Sequence, residues 1–387
     1  MHSWLYSRLS RVDRLGLYIH IPFCEKKCYY CDFASYSGKR ALVVPYLNAL
    51  AKEIEAKTRG RCFDTIFIGG GTPSYLSSEE LVILSGILSG VSRTEECEFT
   101  MECNPGNITK EKAKVLWGMG VNRISIGLQS SNDTLLMDIG RIHTFREFRD
   151  NFLMLREAGF KNINVDIIYG LPGETLEIFG KTLDDVAMLE PEHISCYSLI
   201  IEENTQFYVR RRRDTLILPD EDTEDAMKDL VTSRLESLGF LRYEISNYAR
   251  EGFECRHNRN YWEFGEYIGC GAAAHEFTGG LRRENIRTVE GYIRSIESDS
   301  DAAVRVHENS REDSIEEFLF MGMRLVEGIS LNSFKSRFSE DIMDIFGDVI
   351  RRHMGDGLLV IEGDRMRFTE KGMDLSNHVL SDLILTV

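Results

Sequence analysis

The chain has 387 residues, 43% of them hydrophobic and 28% charged, which suits a folded protein of two or three domains and excludes a disordered or fibrous one. Its 62 acidic against 46 basic residues give a formal charge of −16, which repels a phosphate backbone and sets nucleic acid aside as a default partner. Apolar runs such as Ile194 to Ile201 fall short of the ~20 residues that cross a bilayer, and Arg8, Arg11, Asp13 and Arg14 interrupt the place where a secretory signal needs its apolar core, so the expected location is cytoplasmic.

From Leu15 to Ser198, short β-like runs alternate with helical ones, the pattern of parallel βα units. Six strands are predicted, at Leu17 to Ile21, Thr65 to Ile68, Glu98 to Glu102, Arg123 to Gly127, Asn162 to Ile168 and His193 to Leu199. Helices are predicted at Tyr46 to Lys57, Ser78 to Leu88, Lys110 to Trp117, Phe145 to Ala158 and Thr175 to Leu189. Ser77 and Thr109, each followed by acids, offer oxygens and negative charge to first-turn amides. Six units are fewer than the eight of a closed barrel, so the expected fold is α/β, a partial (β/α)6 barrel over residues 1–202 with reactive groups at the C-terminal strand ends.

Past Glu202 the alternation stops. The run Arg210 to Arg213 reads as a solvated loop, and a helix from Asp220 to Leu238 leads into an aromatic-rich segment ending at Gly269-Cys270-Gly271, within an accessory region 203–305. Residues 306–387 read as helix, helix, then Leu358 to Ile361, a turn at Gly363-Asp364 and Met366 to Thr369, a winged-helix-like end. From Asp301 onward there are 10 basic against 17 acidic residues, which favours packing or partner docking over DNA binding.

Nine cysteines, an odd number without an export signal, fit a reducing compartment. Only Cys24, Cys28 and Cys31 cluster; Cys62, Cys97, Cys103, Cys196, Cys255 and Cys270 read as small hydrophobes. Three thiolates in one loop after a strand suit an iron–sulfur cluster with one iron left open, while zinc held by the same cysteines with His20 is the competing reading. Gly69-Gly70-Gly71-Thr72-Pro73 follows the second strand, where bare backbone lets a ligand approach or makes a tight turn. Glu102, Gln129 and Asp166 stand at or just past three further strand ends, where they either face a common mouth or cap local structure.

The segment Tyr18-Ile19-His20-Ile21-Pro22-Phe23-Cys24 through Cys31-Asp32-Phe33 resembles the opening of the HemN/HemW radical S-adenosylmethionine proteins, and the resemblance runs through nearly the whole chain. It implies a [4Fe–4S] cluster on Cys24, Cys28 and Cys31. It also implies S-adenosylmethionine held by Tyr18, through a backbone contact to the adenine, and by Gly70, Gly71, Thr72, Glu102, Gln129, Arg141 and Asp166. His257-Asn258-Arg259-Asn260-Tyr261-Trp262 resembles a segment of the HemW branch, whose members are regarded as heme chaperones, and so implies His257 as an axial ligand to heme, an aromatic structural seam being the alternative. His275, in the Gly269 to His275 stretch, is a weaker candidate.

Two departures separate the chain from the coproporphyrinogen enzymes of the same group. Phe33 stands where those enzymes carry a fourth cysteine, and only 23 residues precede Cys24 where they have a longer segment over the substrate cavity. The leading expectation is a heme chaperone serving an acceptor protein, membrane-associated or not, with an electron donor if S-adenosylmethionine is cleaved; the oligomeric state stays open. The alternatives are an oxygen-independent coproporphyrinogen III oxidase and a zinc-stabilised regulatory module.

Overall fold

Two-residue alternation builds the sheet. The computed structural model describes residues 14–385; the N-terminal stretch carrying Arg8, Arg11 and Asp13, read above as incompatible with export, lies outside the described residues. In β1 (Leu15–Ile21), Leu17, Ile19 and Ile21 are fully buried on one face while Tyr18 and His20 take the other. The same parity runs through β2 (Phe63–Gly70), β3 (Arg93–Cys103), β4 (Arg123–Gln129), β5 (Ile163–Tyr169) and β6 (His193–Ser198). Ile68, Met101, Ile126 and Val165 join the apolar core with the helices, whereas Thr65, Glu98, Glu102, Arg123 and Asp166 alternate with them on the inner face. A polar inner wall is what a ligand-holding barrel requires.

The six strands pair in parallel and in chain order, with helices Val43–Thr58, Ser78–Leu88, Lys110–Met119, Phe145–Glu157 and Leu176–Ala187 between or after them. Ser77 and Glu80 form a reciprocal capping box, and Thr109 accepts from the Lys112 amide. Strand β3 starts at Arg93, earlier than predicted; Glu95 and Glu96 are exposed, so its first residues carry no hydrophobic pattern to read. The arginine run read as a loop closes the helix Gln206–Arg212, where cations suit the negative end of the helix dipole.

The accessory region extends the same sheet. It supplies β7 (Leu241–Arg242), β8 (Asn247–Ala249), β9 (Glu266–Cys270), β10 (His275–Thr278), β11 (Leu281–Asn285) and β12 (Ala303–Glu308), and the order is β12-β11-β10-β9-β1-β2-β3-β4-β5-β6-β8-β7. Strand β9 lies parallel to β1 and covers what would be an open edge. The C-terminal end packs helices Arg311–Gly322, Leu331–Phe338 and Ile342–Gly355 against a small antiparallel sheet of β13 (Ile329–Ser330), β14 (Leu359–Glu362) and β15 (Arg365–Phe368). Its core of Leu319, Phe334, Ile350 and Met366 is shared with Phe264 and Phe277 from the barrel flank. Among the described residues, no helix is long and apolar enough to cross a membrane.

Candidate cluster and cofactor site

Where β1 ends, Pro22 and Phe23 lead into the cysteine loop, which is zipped at its base by Cys24 N–H to Tyr36 O (3.1 Å) and Tyr36 N–H to Pro22 O (2.8 Å). All three cysteines are free thiols, Cys24 buried and the others half-buried. Each sulfur has a polar neighbour: Thr72 Oγ1 at 3.4 Å from Cys24, Arg141 Nη1 at 3.8 Å from Cys28 and Ser35 Oγ at 3.9 Å from Cys31. Burial pushes the Cys24 and Cys31 thiols up, so a metal centre is the natural agent to draw off their protons. His20 does not complete a zinc set, because its Nδ1 meets the Tyr18 hydroxyl at 2.9 Å and its Nε2 meets Ala34 O at 2.9 Å.

The glycine run is stitched to this loop by Gly71 N–H to Ile21 O (2.9 Å) and Thr72 N–H to Phe23 O (2.8 Å). Gly70 has φ +113°, and a Cβ there would lie 2.4 Å from His20 Cε1. A Cβ on Gly71 would lie 2.8 Å from Phe23 O and 3.0 Å from Cys24 Sγ. The bare backbone is therefore needed by the cysteine loop itself, in addition to any ligand. Thr72 joins the two by donating to Cys24 and accepting from Asn104 Nδ2 at 2.9 Å.

The inner wall continues from here. Glu102 accepts from Gly70 N–H at 3.0 Å, and burial, with Asp166 nearby, pushes its carboxyl up to about 8. Asp166 sits in the middle of β5 and not at its end; it accepts from Asn164 Nδ2 (2.7 Å) and Ser125 Oγ (3.2 Å), while burial raises its pKa. Gln129 closes β4 at a register shift with φ +76°, a backbone state rarely taken by a non-glycine residue. Arg141 is anchored by Gly127 O (2.5 Å) and Asn104 Oδ1 (3.1 Å), and its buried Nε has no protein partner. Tyr18 is paired with Phe67 on one side and Gly269 on the other, and its hydroxyl meets His20 Nδ1 at 2.9 Å. Sequence reasoning missed Asn104 and Ser35; the first lay in plain view in Glu-Cys-Asn-Pro, directly after β3.

Beside the cysteine loop opens a cleft of about 520 Å³, lined by Lys27, Asp32, Phe33, Tyr36, Glu202 and Arg287 among others. His257 is not there. It sits at the opposite end of the strands on helix Arg256–Trp262, 1% exposed, with Nδ1 at 2.7 Å from Thr65 Oγ1 and Nε2 at 2.7 Å from Tyr261 OH. Its ring stacks on Phe67, and burial lowers its pKa to about 3. Glu98 caps this helix by accepting from Arg256 N–H and His257 N–H, both at 3.0 Å. The motif thus sits at the lower mouth of the barrel, with both imidazole nitrogens in hydrogen bonds. His275 is exposed at the start of β10.

Comparison with known proteins agrees with this architecture. The Radical SAM superfamily pattern matches residues 18–186, and the HemN C-terminal domain pattern matches residues 309–375. The chain is 39% identical to Heme chaperone HemW of Bacillus subtilis, over 94% of this chain and 97% of that one. It is 35% identical to Heme chaperone HemW of Escherichia coli, over 96% and 98%. Among solved structures, coproporphyrinogen III oxidase (HemN) from Escherichia coli, a radical SAM enzyme, matches with a TM-score of 0.86 at 23% identity, covering 98% of this chain and 92% of that one, a likeness of fold. With curated relatives aligned end to end at this identity, the chain belongs to the HemW family of the radical SAM superfamily.

Proposed function

We propose that this chain is a cytoplasmic heme chaperone, which holds a [4Fe–4S] cluster on Cys24, Cys28 and Cys31, binds S-adenosylmethionine in the adjoining mouth and passes heme to an acceptor protein. The full-length likeness to HemW relatives carries the reading, and Phe33, 64% exposed where the oxidases have a fourth cysteine, supports it over the oxidase. The residues fit the group: three thiols, each beside a hydroxyl or guanidinium donor, would bind three irons. With its fourth iron open, such a cluster supplies the one-electron chemistry of adenosylmethionine, fed by an electron donor if that ligand is cleaved.

The wall residues then divide the remaining work. Arg141 Nε, buried without a protein partner, is a donor suited to the ligand carboxylate. Glu102, protonated at neutral pH when its pKa stands at about 8, can donate to a ribose hydroxyl while its other oxygen holds Gly70 N–H. Heme is assigned to the cleft beside the cluster loop, where Phe33 and Tyr36 offer aromatic surface and Lys27 and Arg287 offer cations to the propionates, against Asp32, Glu202 and Glu203 on the same rim. Under this reading His257 is structural.

The experiment is anaerobic reconstitution with iron and sulfide, followed by separate heme and coproporphyrinogen assays. About four irons should bind, and Cys24→Ser should lose them. Phe33→Ala and Arg287→Ala should weaken heme binding several-fold with iron unchanged, and no protoporphyrinogen should form. Robust protoporphyrinogen formation would overturn the chaperone reading, and unchanged heme affinity in both variants would remove heme from the cleft.

A further inference from the structure

The C-terminal region contains a second group of ligand-type side chains, far in sequence from the cysteine loop. His353 lies on the helix Ile342–Gly355, while His378 and Asp382 stand four residues apart on the segment Ser376–Ser381 and its C-cap. One ligand atom from each of the three lies within 4.8 Å of the others. The two imidazole rings meet edge to face with centroids 5.5 Å apart.

The contacts within the protein do not satisfy His353. Its side chain is 1% exposed, its Nε2 lies 2.9 Å from Asp382 Oδ2, and its Nδ1 is buried with no partner. A neutral imidazole has one donor and one acceptor nitrogen, so either tautomer leaves Nδ1 unpaired, a penalty that an apolar residue of similar size would avoid. Nε2, which faces Asp382, is the nitrogen an ion between these side chains would take, while Nδ1 stays unpaired with or without the ion.

We propose that His353, His378 and Asp382 form a site for one divalent transition-metal ion of the zinc class, with water completing the coordination. Two imidazoles and one carboxylate are a borderline N/O donor set of the kind that zinc accepts. Four-coordinate bonds of this type place ligand atoms about 3.3 Å apart. His353 and Asp382 are already within that span at 2.9 Å, and rotation of the exposed His378 side chain closes the rest of the 4.8 Å. Arg352 Nη2 lies 2.5 Å from the same Asp382 oxygen, so it competes with a cation and must swing outward, which its half-exposed side chain permits. The bound ion would pin the terminal segment, through which Val379 and Leu383 enter the C-terminal core, to the helix that carries His353.

The test uses full-length protein with its cluster loaded, so that the cysteine loop is not free to take zinc. After anaerobic dialysis against micromolar free Zn²⁺, zinc and iron are counted and the denaturation midpoint is measured. Wild type should hold about one zinc per chain beyond its iron and gain stability from it. His378→Ala removes an exposed side chain and should lower zinc affinity at least tenfold with iron content unchanged, whereas Arg352→Gln should raise the affinity by freeing the carboxylate. Absence of zinc in wild type, or equal uptake by wild type and His378→Ala, would overturn the site. A fall in affinity in Arg352→Gln would overturn the competition argument on which its geometry rests.

Discussion

Replacing His257 by Ala separates a structural histidine from a heme ligand. The substitution strands Thr65 Oγ1 and Tyr261 OH, each 2.7 Å from the imidazole. A buried polar group left unpaired costs roughly 1–3 kcal/mol, and the ring's vacated space against Phe67 adds roughly 1–2 kcal/mol. Together the loss is about 3–8 kcal/mol, a large share of the roughly 5–15 kcal/mol that holds a domain folded. Anaerobic urea denaturation followed by circular dichroism should therefore show a much lower midpoint for His257→Ala. His257→Gln, which can keep one of the two bonds, should fall between. Heme affinity and spectrum, measured per folded molecule, should match wild type in His257→Gln. A loss of less than about 1 kcal/mol combined with an altered heme spectrum would refute the reasoning and return His257 to the iron.

Gly71→Ala should lose iron, because the added Cβ would meet Phe23 O at 2.8 Å and Cys24 Sγ at 3.0 Å; full iron content in that variant would remove the argument that the cradle serves the cysteine loop. Gln129→Ala should keep its iron and bind S-adenosylmethionine roughly tenfold more weakly by equilibrium dialysis, the loss of about one hydrogen bond. Stability should fall as pH rises above about 6.5, the ordinary histidine value. Above it, the folded chain keeps Glu102 and Glu174 protonated up to about 8 by burial while the unfolded chain ionises them, so rising pH destabilises; below it, His143 and His257, held by burial at about 3, and His193, also lowered, stay neutral in the fold but protonate on unfolding. His20, held by burial at about 4, adds to the histidine side, and Asp166 and Glu244, both raised by burial, add to the acid side; a midpoint that rises steadily from pH 6.5 through pH 8 would contradict the assignment.

What the sequence displayed were local patterns. The six barrel strands were legible because Leu17-Ile19-Ile21, Ile66-Ile68, Ile124-Ile126 and their counterparts repeat at a spacing of two on the helix-facing side. The cysteine loop was legible because its three cysteines, Cys24, Cys28 and Cys31, lie within eight residues. Strand β9 was not, since Glu266 to Cys270 is five residues with a glycine inside and draws its stability from pairing with β1. Gly271 shows the same limit: its N–H donates to Glu53 at 2.7 Å across 218 residues of chain, a partner that no local pattern points to. The surroundings of His257 were equally hidden, because its partners Thr65 and Glu98 are 192 and 159 residues away.

The His257 helix and the cofactor mouth are held by the same strands, which constrains how heme could ever reach His257. Thr65, under the imidazole, and Gly70, under the cysteine loop, are five residues apart on β2, a rise of about 16 Å. Glu98, which caps that helix, and Glu102, which holds Gly70, belong to β3. Freeing His257 for iron means breaking its bonds to Thr65 and Tyr261 and withdrawing the helix whose first amides donate to Glu98, so that this buried carboxylate loses two of its donors. That disruption would be transmitted along β2 and β3 to the glycine cradle that the cysteine loop leans on. A heme site at the cleft beside Phe33 requires none of these breaks, and its aromatic and cationic groups are already at the surface where an acceptor protein can approach.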